Sequence, residues 1–449
     1  MTQIEPIVPP FDQLLGEQRL PPDTPVRLLT FVIPLRVKEG MLLFNNLTKA
    51  MALLSPNEAD LLGQHPEKMQ KLVRQWFLVP QTHDDGQLAR EMRTVGNMLR
   101  PPVEALTDYT IFTTTDCNAR CFYCYQKGTA HISMSRETAT ETARYILRHS
   151  AGKKVSLAWF GGEPLYNKEA ISIICRNLQE AAVPYASTMT TNGFLLDRNI
   201  LPEAKELWKL ESVQITLDGT EEIYNRAKQF IYHGVNAYRK VMENIGLLLE
   251  ADLSVRIRLN MDLYNADDLC TLAHELGRSF GGQKELGVYS HPLFGKTVGN
   301  ATVYDDEKRK QLYAKKAQLR EILKSYRIQE RPSLKLELRL NQCMADNDRS
   351  ITILPDGRIG KCEHFTDSHF IGHIGTKGFD NEIVNAFKQL QKDSPACASC
   401  PLYPECIRLE ECPTNEHCFP ELQEEKMTET REEILRFYHH WRKNHAVQD

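Results

Sequence analysis

The chain has 449 residues, of which 41% are hydrophobic and 25% are charged, and its formal net charge is -4. This balance excludes a wholly disordered chain, and the length suits two or three domains. Because no long run of one charge sign occurs, the composition gives no support for a nucleic-acid or membrane-surface role.

The amino-terminal sequence predicts neither export nor membrane insertion. It reads MTQIEPIVPP, which lacks the basic start and the apolar core of a signal peptide. No apolar stretch along the chain reaches the roughly 18 residues that a transmembrane helix needs. We therefore predict a cytoplasmic protein with no nucleic-acid and no membrane partner.

The part of the chain before the first cysteine predicts a small subdomain of strands and helices. Two apolar runs separated by Lys38, Glu39 and Gly40 indicate a β-hairpin, and a proline after a capping serine indicates a helix start. The predicted elements are hairpin strands over 28–37 and 41–44, a helix from Ser55, a helix over 69–76 and a strand over 77–80. We interpret residues 1–105 as a winged-helix-like domain, and a covering subdomain without a ligand is the alternative.

Residues 108–292 alternate short β-branched runs with amphipathic helical stretches. The predicted strands cover 109–114, 155–160, 186–191, 212–217, 254–260 and 286–290, and the helices between them include 136–148, 168–182 and 238–249. Six consecutive βα units indicate a parallel sheet, and their regularity favours an α/β fold with a partial (βα)6 TIM-like barrel over 106–302. The charged stretch 303–330 predicts a solvated helix within a linking segment, 303–340.

Twelve cysteines in a chain without an export signal indicate metal or iron–sulfur ligation, because reducing conditions disfavour disulfides. Cys117, Cys121 and Cys124 form a CxxxCxxC loop just after the first predicted barrel strand. Three thiolates in one loop can hold three irons of a [4Fe–4S] cluster and leave the fourth iron open. A zinc loop is the alternative, although zinc sites usually have four ligands in pairs such as CxxC.

Four further motifs each lie at the end of one predicted strand of the barrel. They are Gly161-Gly162-Glu163-Pro164, Thr191-Asn192-Gly193, Thr216-Leu217-Asp218-Gly219 and Arg258-Leu259-Asn260. Glycines permit close approach of the backbone, so the Glu163 carboxylate can meet a cationic amino group. Arg258 can pair with a ligand carboxylate or with Glu163.

The cysteine loop, with an aromatic residue before its last cysteine, and the ordered strand-end motifs together resemble the radical S-adenosylmethionine (radical SAM) superfamily over about residues 108–290. The resemblance implies that Cys117, Cys121 and Cys124 ligate a [4Fe–4S] cluster whose open iron binds SAM. It also implies reductive cleavage of SAM to methionine and a 5′-deoxyadenosyl radical, which abstracts a hydrogen atom from an unactivated carbon. The residues that it assigns to SAM binding are Tyr123, Gly161, Gly162, Glu163, Pro164, Thr191, Asn192, Thr216, Asp218, Arg258 and Asn260. It assigns no catalytic base.

Seven more cysteines lie in the last quarter of the chain. A turn at Pro355-Asp356-Gly357-Arg358 separates two predicted strands, 350–354 and 358–361, in the same region. This arrangement resembles the SPASM extension of radical SAM enzymes, which would occupy residues 341–449. The resemblance implies two auxiliary [4Fe–4S] clusters, and so three clusters in all, with an outer cluster on Cys397, Cys400, Cys406 and Cys418 and an inner cluster on Cys343, Cys362 and Cys412. A zinc ribbon is the alternative.

The ligand set of the inner cluster departs from the family pattern. Five residues separate Cys406 from Cys412, where the family usually has three, and no cysteine lies between Cys270 and Cys343 to act as an eighth ligand. We hypothesise that the inner cluster has an open iron, bound by a substrate thiolate or by a local group such as Asp346 or His364. The remaining two cysteines, Cys175 and Cys270, are expected to be ordinary buried thiols.

SPASM-bearing relatives that also carry an amino-terminal winged unit mature ribosomally made precursor peptides. The resemblance therefore implies a peptide maturase that forms an intrapeptide thioether or a carbon–carbon or carbon–oxygen crosslink. The leader of the precursor peptide is expected to add as a strand to the sheet edge at 28–37 or 41–44, although Pro34 would interrupt the edge on which it lies. A flavodoxin or ferredoxin is expected to supply the electrons.

The sequence is also compatible with two other functions. One is oxidation of cysteine or serine to formylglycine, as in sulfatase maturases, which begin near the cysteine loop and lack the first hundred residues. The other is a non-catalytic iron–sulfur or zinc protein that relays electrons or scaffolds a complex. An electron carrier would not need the SAM-type residues at the strand ends.

Overall fold

The computed structural model describes residues 6–8, 15–21, 23–56, 66–98, 104–293, 304–328, 334–336, 338, 343–364, 369–376, 378–380, 382, 384, 397, 399–406 and 418–445. The chain divides into two compact units. The first, here called the terminal unit, comprises Met1–Pro102, Pro332–Cys343 and Gln389–Asp449. The second, the barrel unit, comprises Val103–Arg331 and Met344–Lys388. The last quarter of the chain is therefore shared between the two units.

The terminal unit combines short strands with helices. Its described elements are β1 (Pro6–Val8), β2 (Val26–Leu28), β3 (Val32–Val37), β4 (Gly40–Asn45), β5 (Met51–Leu54), α1 (Pro66–Arg74), β6 (Leu78–Pro80), α2 (Asp85–Met98) and a carboxy-terminal helix (Pro420–His445). Four strands form an antiparallel sheet in the order β1-β5-β4-β3, and β2 pairs with β6. The predicted hairpin is observed as β3 and β4, although its first strand begins at Val32 and Leu28 belongs to the separate strand β2.

Alternation of side chains along these strands gives the sheet two buried faces. Ile33 and Leu35 belong to a core that includes Ile434 and Tyr438 of the carboxy-terminal helix. Leu43, on the opposite face, belongs to a second core with residues of α1 and α2. Strand β3 thus forms a core together with the carboxy-terminal helix.

The predicted helices of this unit have different outcomes. The helix predicted over 69–76 is observed as α1, which begins earlier, at Pro66, and ends at Arg74. An earlier start suits Pro66, because proline is well placed at the first helical position. The helix predicted from Ser55 falls mostly on residues 57–65, which lie outside the described residues. The interpretation of this region as winged-helix-like stays a prediction.

The barrel unit is built around one mostly parallel sheet. Its elements are β7 (Asp108–Thr114), α3 (Arg136–His149), β8 (Val155–Gly161), α4 (Lys168–Glu180), β9 (Tyr185–Thr191), α5 (Leu201–Glu206), β10 (Leu210–Leu217), α6 (Glu221–Lys228), α7 (Ala237–Glu250), β11 (Ser254–Met261), α8 (Ala266–Phe280), β12 (Leu286–Pro292), α9 (Asp306–Ser325), β13 (Ser350–Ile353), β14 (Arg358–Gly360) and β15 (Gly372–His373). Strands β7 to β12 lie side by side in chain order, and each pairs with its neighbour in parallel. The predicted α/β fold with a partial barrel is confirmed.

Local sequence explains how the barrel strands and helices form. In β8 the side chains of Val155, Leu157 and Trp159 are buried in the core under the helices, and the residues between them face the other side of the sheet. Helix α3 begins after Ser135, whose side chain accepts a hydrogen bond from the backbone N–H of Thr138. Because β7 to β12 run parallel, their carboxyl ends lie along one edge of the barrel sheet.

Two features of the barrel unit differ from the sequence-based expectation. Helix α9 was expected to be solvated, but Leu312, Leu319 and Leu323 are buried in the barrel core. The predicted hairpin after Ser350 is present as β13 and β14, and β13 also pairs in parallel with β7, with Ser350 beside Asp108. The hairpin therefore extends the barrel sheet. No helix among the described residues is both long enough and apolar enough to cross a membrane.

Candidate functional site at the carboxyl ends of the barrel strands

The candidate site begins with the cysteine loop that follows β7. The backbone N–H of Cys117 donates to Asp116 Oδ1 at 2.7 Å, and the N–H of Cys124 donates to the carbonyl of Cys121 at 3.2 Å. The loop is also held by the segment after α6, because the N–H of Arg120 donates to the carbonyl of Lys228 at 2.8 Å. These bonds fix the three cysteines in one turn before any metal is considered.

The three thiols of the loop are compatible with ligation of a four-iron cluster. Among the described residues, no three or more His, Cys, Asp or Glu side chains form a group that could hold one metal ion. A four-iron cluster does not require such convergence, since each thiolate can bind a different iron. Burial raises the pKa of the Cys117 thiol to about 12 and raises that of Cys121. A cationic cluster would supply the charge that stabilises the thiolates.

The glycine pair after β8 packs directly against the start of the cysteine loop. Gly161 has a φ of +134°, and a Cβ there would lie 2.2 Å from the carbonyl oxygen of Thr114. A Cβ on Gly162 would lie 2.2 Å from the carbonyl oxygen of Asp116. The N–H of Gly162 donates to Thr114 at 3.0 Å, and the N–H of Glu163 donates to Asp116 at 2.9 Å. This contact explains why neither glycine can carry a side chain.

Glu163 is fully buried between the second and third barrel strands. The hydroxyl of Thr191 lies 2.8 Å and 2.9 Å from its two carboxylate oxygens, and the N–H of Asn192 donates to Oε2 at 2.8 Å. Burial raises the pKa of Glu163 to about 7, although these donors favour the charged form. A cationic amino group brought to this carboxylate would stabilise its ionised state.

The pKa of Glu163 predicts how the stability of the protein without iron or SAM depends on pH. The folded state holds the Glu163 proton up to about pH 7, whereas an unfolded glutamate loses it near 4.5. The free energy of unfolding should therefore fall by roughly 3 kcal/mol as the pH rises through this window. Urea unfolding across the pH range measures this fall, and Glu163→Gln should abolish it.

Glu169→Gln is the control for that measurement. Glu169 lies on α4 with an exposed side chain and pairs with Arg136. This substitution should leave the pH dependence in place. An equally steep fall in Glu163→Gln would contradict the assignment of the effect to Glu163.

A buried charged network lies beside the cysteine loop. The hydroxyl of Tyr123 lies 2.9 Å and 2.8 Å from the two oxygens of Asp218, and Lys228 Nζ lies 2.7 Å from the same hydroxyl and 3.1 Å from Asp218 Oδ2. The amide of Asn260 donates to Asp218 Oδ1 at 3.1 Å. Burial lowers the pKa of Lys228, but Asp218, Cys121 and Cys117 together raise it above its ordinary value. Lys228 is therefore charged.

Sequence reasoning assigned Tyr123, Asp218 and Asn260 to SAM but did not single out Lys228. In the structure, Asp218 is already bound by three side chains of the protein. Lys228 is the last residue of α6, and basic residues are common at the carboxyl ends of helices. No sequence signal distinguishes it from other terminal lysines.

Arg258 and Asn192 complete the strand-end set. Buried Val255 and Leu259 face the barrel helices, so Arg258 lies on the opposite face of β11. Its Nε atom is buried and has no hydrogen-bond partner among the described residues, and no described ion pair joins it to Glu163. Asn192 Nδ2 donates to Asn118 Oδ1 at 2.6 Å, which links the third strand end to the cysteine loop. Asn118 lies inside the cysteine motif and was not predicted.

The remaining predicted residues lie along the same edge of the sheet. Pro164 follows Glu163 and begins a short 3-10 helix, and its carbonyl accepts the hydroxyl of Thr113 at 2.8 Å. Thr216 pairs with Arg258 in the register of β10 and β11. All eleven residues predicted for SAM therefore lie at or near the strand ends of one unit. Their individual roles stay predictions.

The predicted inner-cluster ligand Cys362 follows β14 and is buried in the barrel unit. The hydroxyl of Tyr125, one residue after Cys124, donates to the carbonyl of Glu363 at 3.1 Å, and its ring lies 4.9 Å from that of His364. Burial lowers the pKa of His364, and the positive charge of Arg258 lowers it further. Cys343 belongs to the terminal unit. Cys412 lies outside the described residues.

The described cysteines of the predicted outer cluster come together in the terminal unit. The N–H of Cys400 donates to the carbonyl of Cys397 at 3.0 Å. Burial raises the pKa of Cys400, and the nearby thiols of Cys406 and Cys418 raise it further. Lys49 anchors this segment, since its buried Nζ lies 2.7 Å from Glu405 Oε2. The metal content of this group stays a prediction.

Comparison with known proteins identifies the barrel. Residues 111–276 match the family model of the Radical SAM superfamily. A GTP 3',8-cyclase of Clostridium perfringens strain 13 is 33% identical over 175 residues, which cover 37% of this chain and 50% of that protein. The Probable GTP 3',8-cyclase of Thermococcus kodakarensis is 31% identical over 145 residues, covering 31% and 43%. The chain thus spans about half the length of the curated relatives that it matches.

A solved structure extends the likeness in fold beyond the matched domain. Native anSMEcpe with bound AdoMet and Kp18Cys peptide aligns with a TM-score of 0.57 at 16% identity, covering 75% of this chain and 99% of that chain. At this identity the alignment supports a shared fold.

Proposed function

Residues 111–276 match the Radical SAM superfamily, and we propose that the chain is a peptide maturase of this superfamily that uses SAM to crosslink a ribosomally made precursor peptide. The proposed product is an intrapeptide thioether or a carbon–carbon or carbon–oxygen crosslink. When bound, the cluster and SAM supply a strongly reactive radical that abstracts a hydrogen atom from the peptide. The chain's own residues bind SAM, orient the peptide and exclude water.

One observation carries the SAM site: a half-buried arginine whose buried Nε has no partner among the described residues, and a fully buried carboxylate, both lie at strand ends of the barrel sheet. Arg258 Nε has no partner among the described residues, and Glu163 is enclosed by donors at the next strand ends. SAM carries both a carboxylate and an amino group, so one ligand can neutralise both side chains. We assign the carboxylate of SAM to Arg258 and its amino group to Glu163.

The peptide substrate is proposed from features outside the matched domain. The family model matches residues 111–276, which leaves more than half of this chain outside the matched domain. That remainder contains the seven late cysteines. The anSMEcpe structure holds a peptide and covers 75% of this chain. These observations favour a peptide over a nucleotide.

The terminal unit is proposed to bind the leader of the precursor peptide. In the described sheet β3 lies at an edge, next to β4 alone, and an extended peptide can add to such an edge. Pro34, the third residue of β3, is exposed and has no N–H to donate. The leader would therefore pair on either side of Pro34. Auxiliary clusters on the late cysteines and a flavodoxin or ferredoxin as reductant complete the proposal.

An anaerobic assay tests the proposed function. The protein is reconstituted with iron and sulfide, its iron is counted, and 5′-deoxyadenosine is measured after addition of SAM and dithionite. Three cubane clusters would give about twelve irons per chain. Candidate precursor peptides encoded beside the gene, and GTP, are then added separately and analysed by mass spectrometry. A peptide that loses two mass units and whose fragment spectrum shows a bond between two residues supports the proposal, whereas formylglycine at a single residue, or turnover of GTP alone, would overturn it.

Replacing Arg258 with methionine should separate stability from SAM binding. Arg258→Met removes a buried N–H without a partner, so the free energy of unfolding should stay level or rise by about 1 kcal/mol. The dissociation constant of SAM should rise roughly tenfold to hundredfold, because a charge-assisted hydrogen bond is lost. Equilibrium dialysis of the reconstituted protein measures it.

Arg256→Met is the matched control. Arg256 lies two residues earlier on β11, on the same face, and its guanidinium lies 5.7 Å from the ring of Tyr289. Its loss should change the dissociation constant of SAM by no more than about threefold. Equal losses in the two variants would count against a specific role of Arg258.

A further inference from the structure

Lys228 is buried at the end of α6, with 3% of its surface exposed. Its ammonium group contacts Asp218 at 3.1 Å and the hydroxyl of Tyr123 at 2.7 Å. Tyr123 lies between two of the loop cysteines in sequence. A buried charge is expensive unless it is paired, so this lysine has a defined role in the folded protein.

The same residue also contacts the cysteine loop through its backbone. Its carbonyl accepts the N–H of Arg120 at 2.8 Å and lies 4.0 Å from Cys121 Sγ. Three residues later in the segment, the N–H of Ile231 donates to the carbonyl of Asn118 at 3.0 Å. The position of Lys228 relative to Cys121 is therefore fixed by the backbone on both sides of the contact.

The charges of Lys228 and Asp218 act on Cys121 with opposite signs. The ammonium and the carboxylate lie 3.1 Å apart in one buried network with Tyr123, which follows Cys121 closely in sequence. Low polarity in such a site strengthens electrostatic interactions, so removal of either charge should change the potential at the cysteines, in opposite directions.

We propose that Lys228 is a positioning residue that, paired with Asp218, presents a fixed positive charge to Cys121 and so raises the reduction potential of the cluster held by Cys117, Cys121 and Cys124. The inference rests on the proposed function only in that this loop holds a cluster. Reduction adds one electron to the cluster, and a nearby positive charge stabilises the more negative product. The hydroxyl of Tyr123 contacts both the ammonium and the carboxylate and holds them in place.

A redox titration followed by electron paramagnetic resonance tests the proposal on the full-length reconstituted protein. The signal that changes on addition of SAM identifies the cluster of the loop among any others. Lys228→Met should make reduction of this cluster roughly tenfold less favourable, a shift of about 59 mV to more negative potential for one electron. Asp218→Asn should shift the potential in the opposite direction.

Two further variants distinguish charge from structure. Lys228→Arg keeps the positive charge and should retain a potential near that of the unmodified protein. The double variant Lys228→Met with Asp218→Asn removes both charges and should fall between the two single variants. If Lys228→Met fails to assemble the cluster, the sign of the Asp218→Asn shift decides the question.

The outcomes separate this inference from the proposed function. A potential unchanged in Lys228→Met, or shifts of the same sign in Lys228→Met and Asp218→Asn, would overturn the electrostatic role and leave the proposed function standing. Absence of any SAM-sensitive cluster signal in the unmodified protein would overturn both. Opposite shifts would support the inference even before a peptide substrate is known.

Discussion

Replacing Cys117, Cys121 and Cys124 together with alanine is expected to abolish formation of 5′-deoxyadenosine from SAM. The three thiols occupy one loop, held by hydrogen bonds to Asp116 and Lys228, and no other described cysteine of the barrel unit lies in that loop. Without them the proposed cluster has no protein ligands, so SAM can be neither bound at an open iron nor reduced. Product formation should fall to the level seen without enzyme.

The same variant also tests the auxiliary clusters. Iron should fall from about twelve to about eight per chain, because the late cysteines remain in place. Cys270→Ala is the control, since Cys270 is buried among apolar residues of α8 and should not affect the iron count. Continued production of deoxyadenosine in the triple variant would defeat the proposed site, and loss of all iron would contradict independent auxiliary clusters.

Gly162→Ala is expected to have the next largest effect. The added Cβ would lie 2.2 Å from the carbonyl oxygen of Asp116 and 2.7 Å from that of Thr115, which are backbone atoms that cannot rotate away. The hydrogen bonds from Gly162 to Thr114 and from Glu163 to Asp116 would break. We expect a loss of about 3 kcal/mol of stability and a roughly hundredfold weaker binding of SAM.

Gly152→Ala provides the matched comparison. Gly152 has a φ of +71°, but a Cβ there would meet no atom within 4 Å. Its substitution should cost about 1 kcal/mol through backbone strain and leave SAM binding unchanged. Thermal unfolding and equilibrium dialysis measure both quantities. Normal SAM binding by Gly162→Ala would mean that the glycine loop tolerates displacement from the cysteine loop.

The barrel was predictable because its signals are local. Runs such as 155–160 alternate fully buried side chains with more exposed ones, and each strand-end motif lies at the end of such a run. Parallel pairing then brings the ends of neighbouring strands together whatever the lengths of the helices between them. Glu163, Thr191 and Asn192 therefore meet in the structure as the sequence order suggested.

The features that sequence reasoning missed depend on contacts between distant segments. Lys228 has the local context of a helix end, and only the fold brings it to Asp218 and Tyr123. The leucines of α9 follow a weak periodicity within a highly charged helix, so their burial in the barrel core was not evident. The division of the late cysteines between two units likewise leaves no trace in their spacing.

The pairing of β13 with β7 has a consequence for the synthesis of this protein. Strand β7 is the first of the barrel, yet one of its two neighbours, β13, is translated only after nearly all of the barrel sequence. A nascent chain therefore carries β7 with an open, apolar edge for most of its time on the ribosome. Open edges recruit other strands and promote aggregation. Truncation before residue 344 would leave that edge of β7 permanently exposed. The barrel unit therefore depends on a segment that lies after β12, the last of its six parallel strands in chain order.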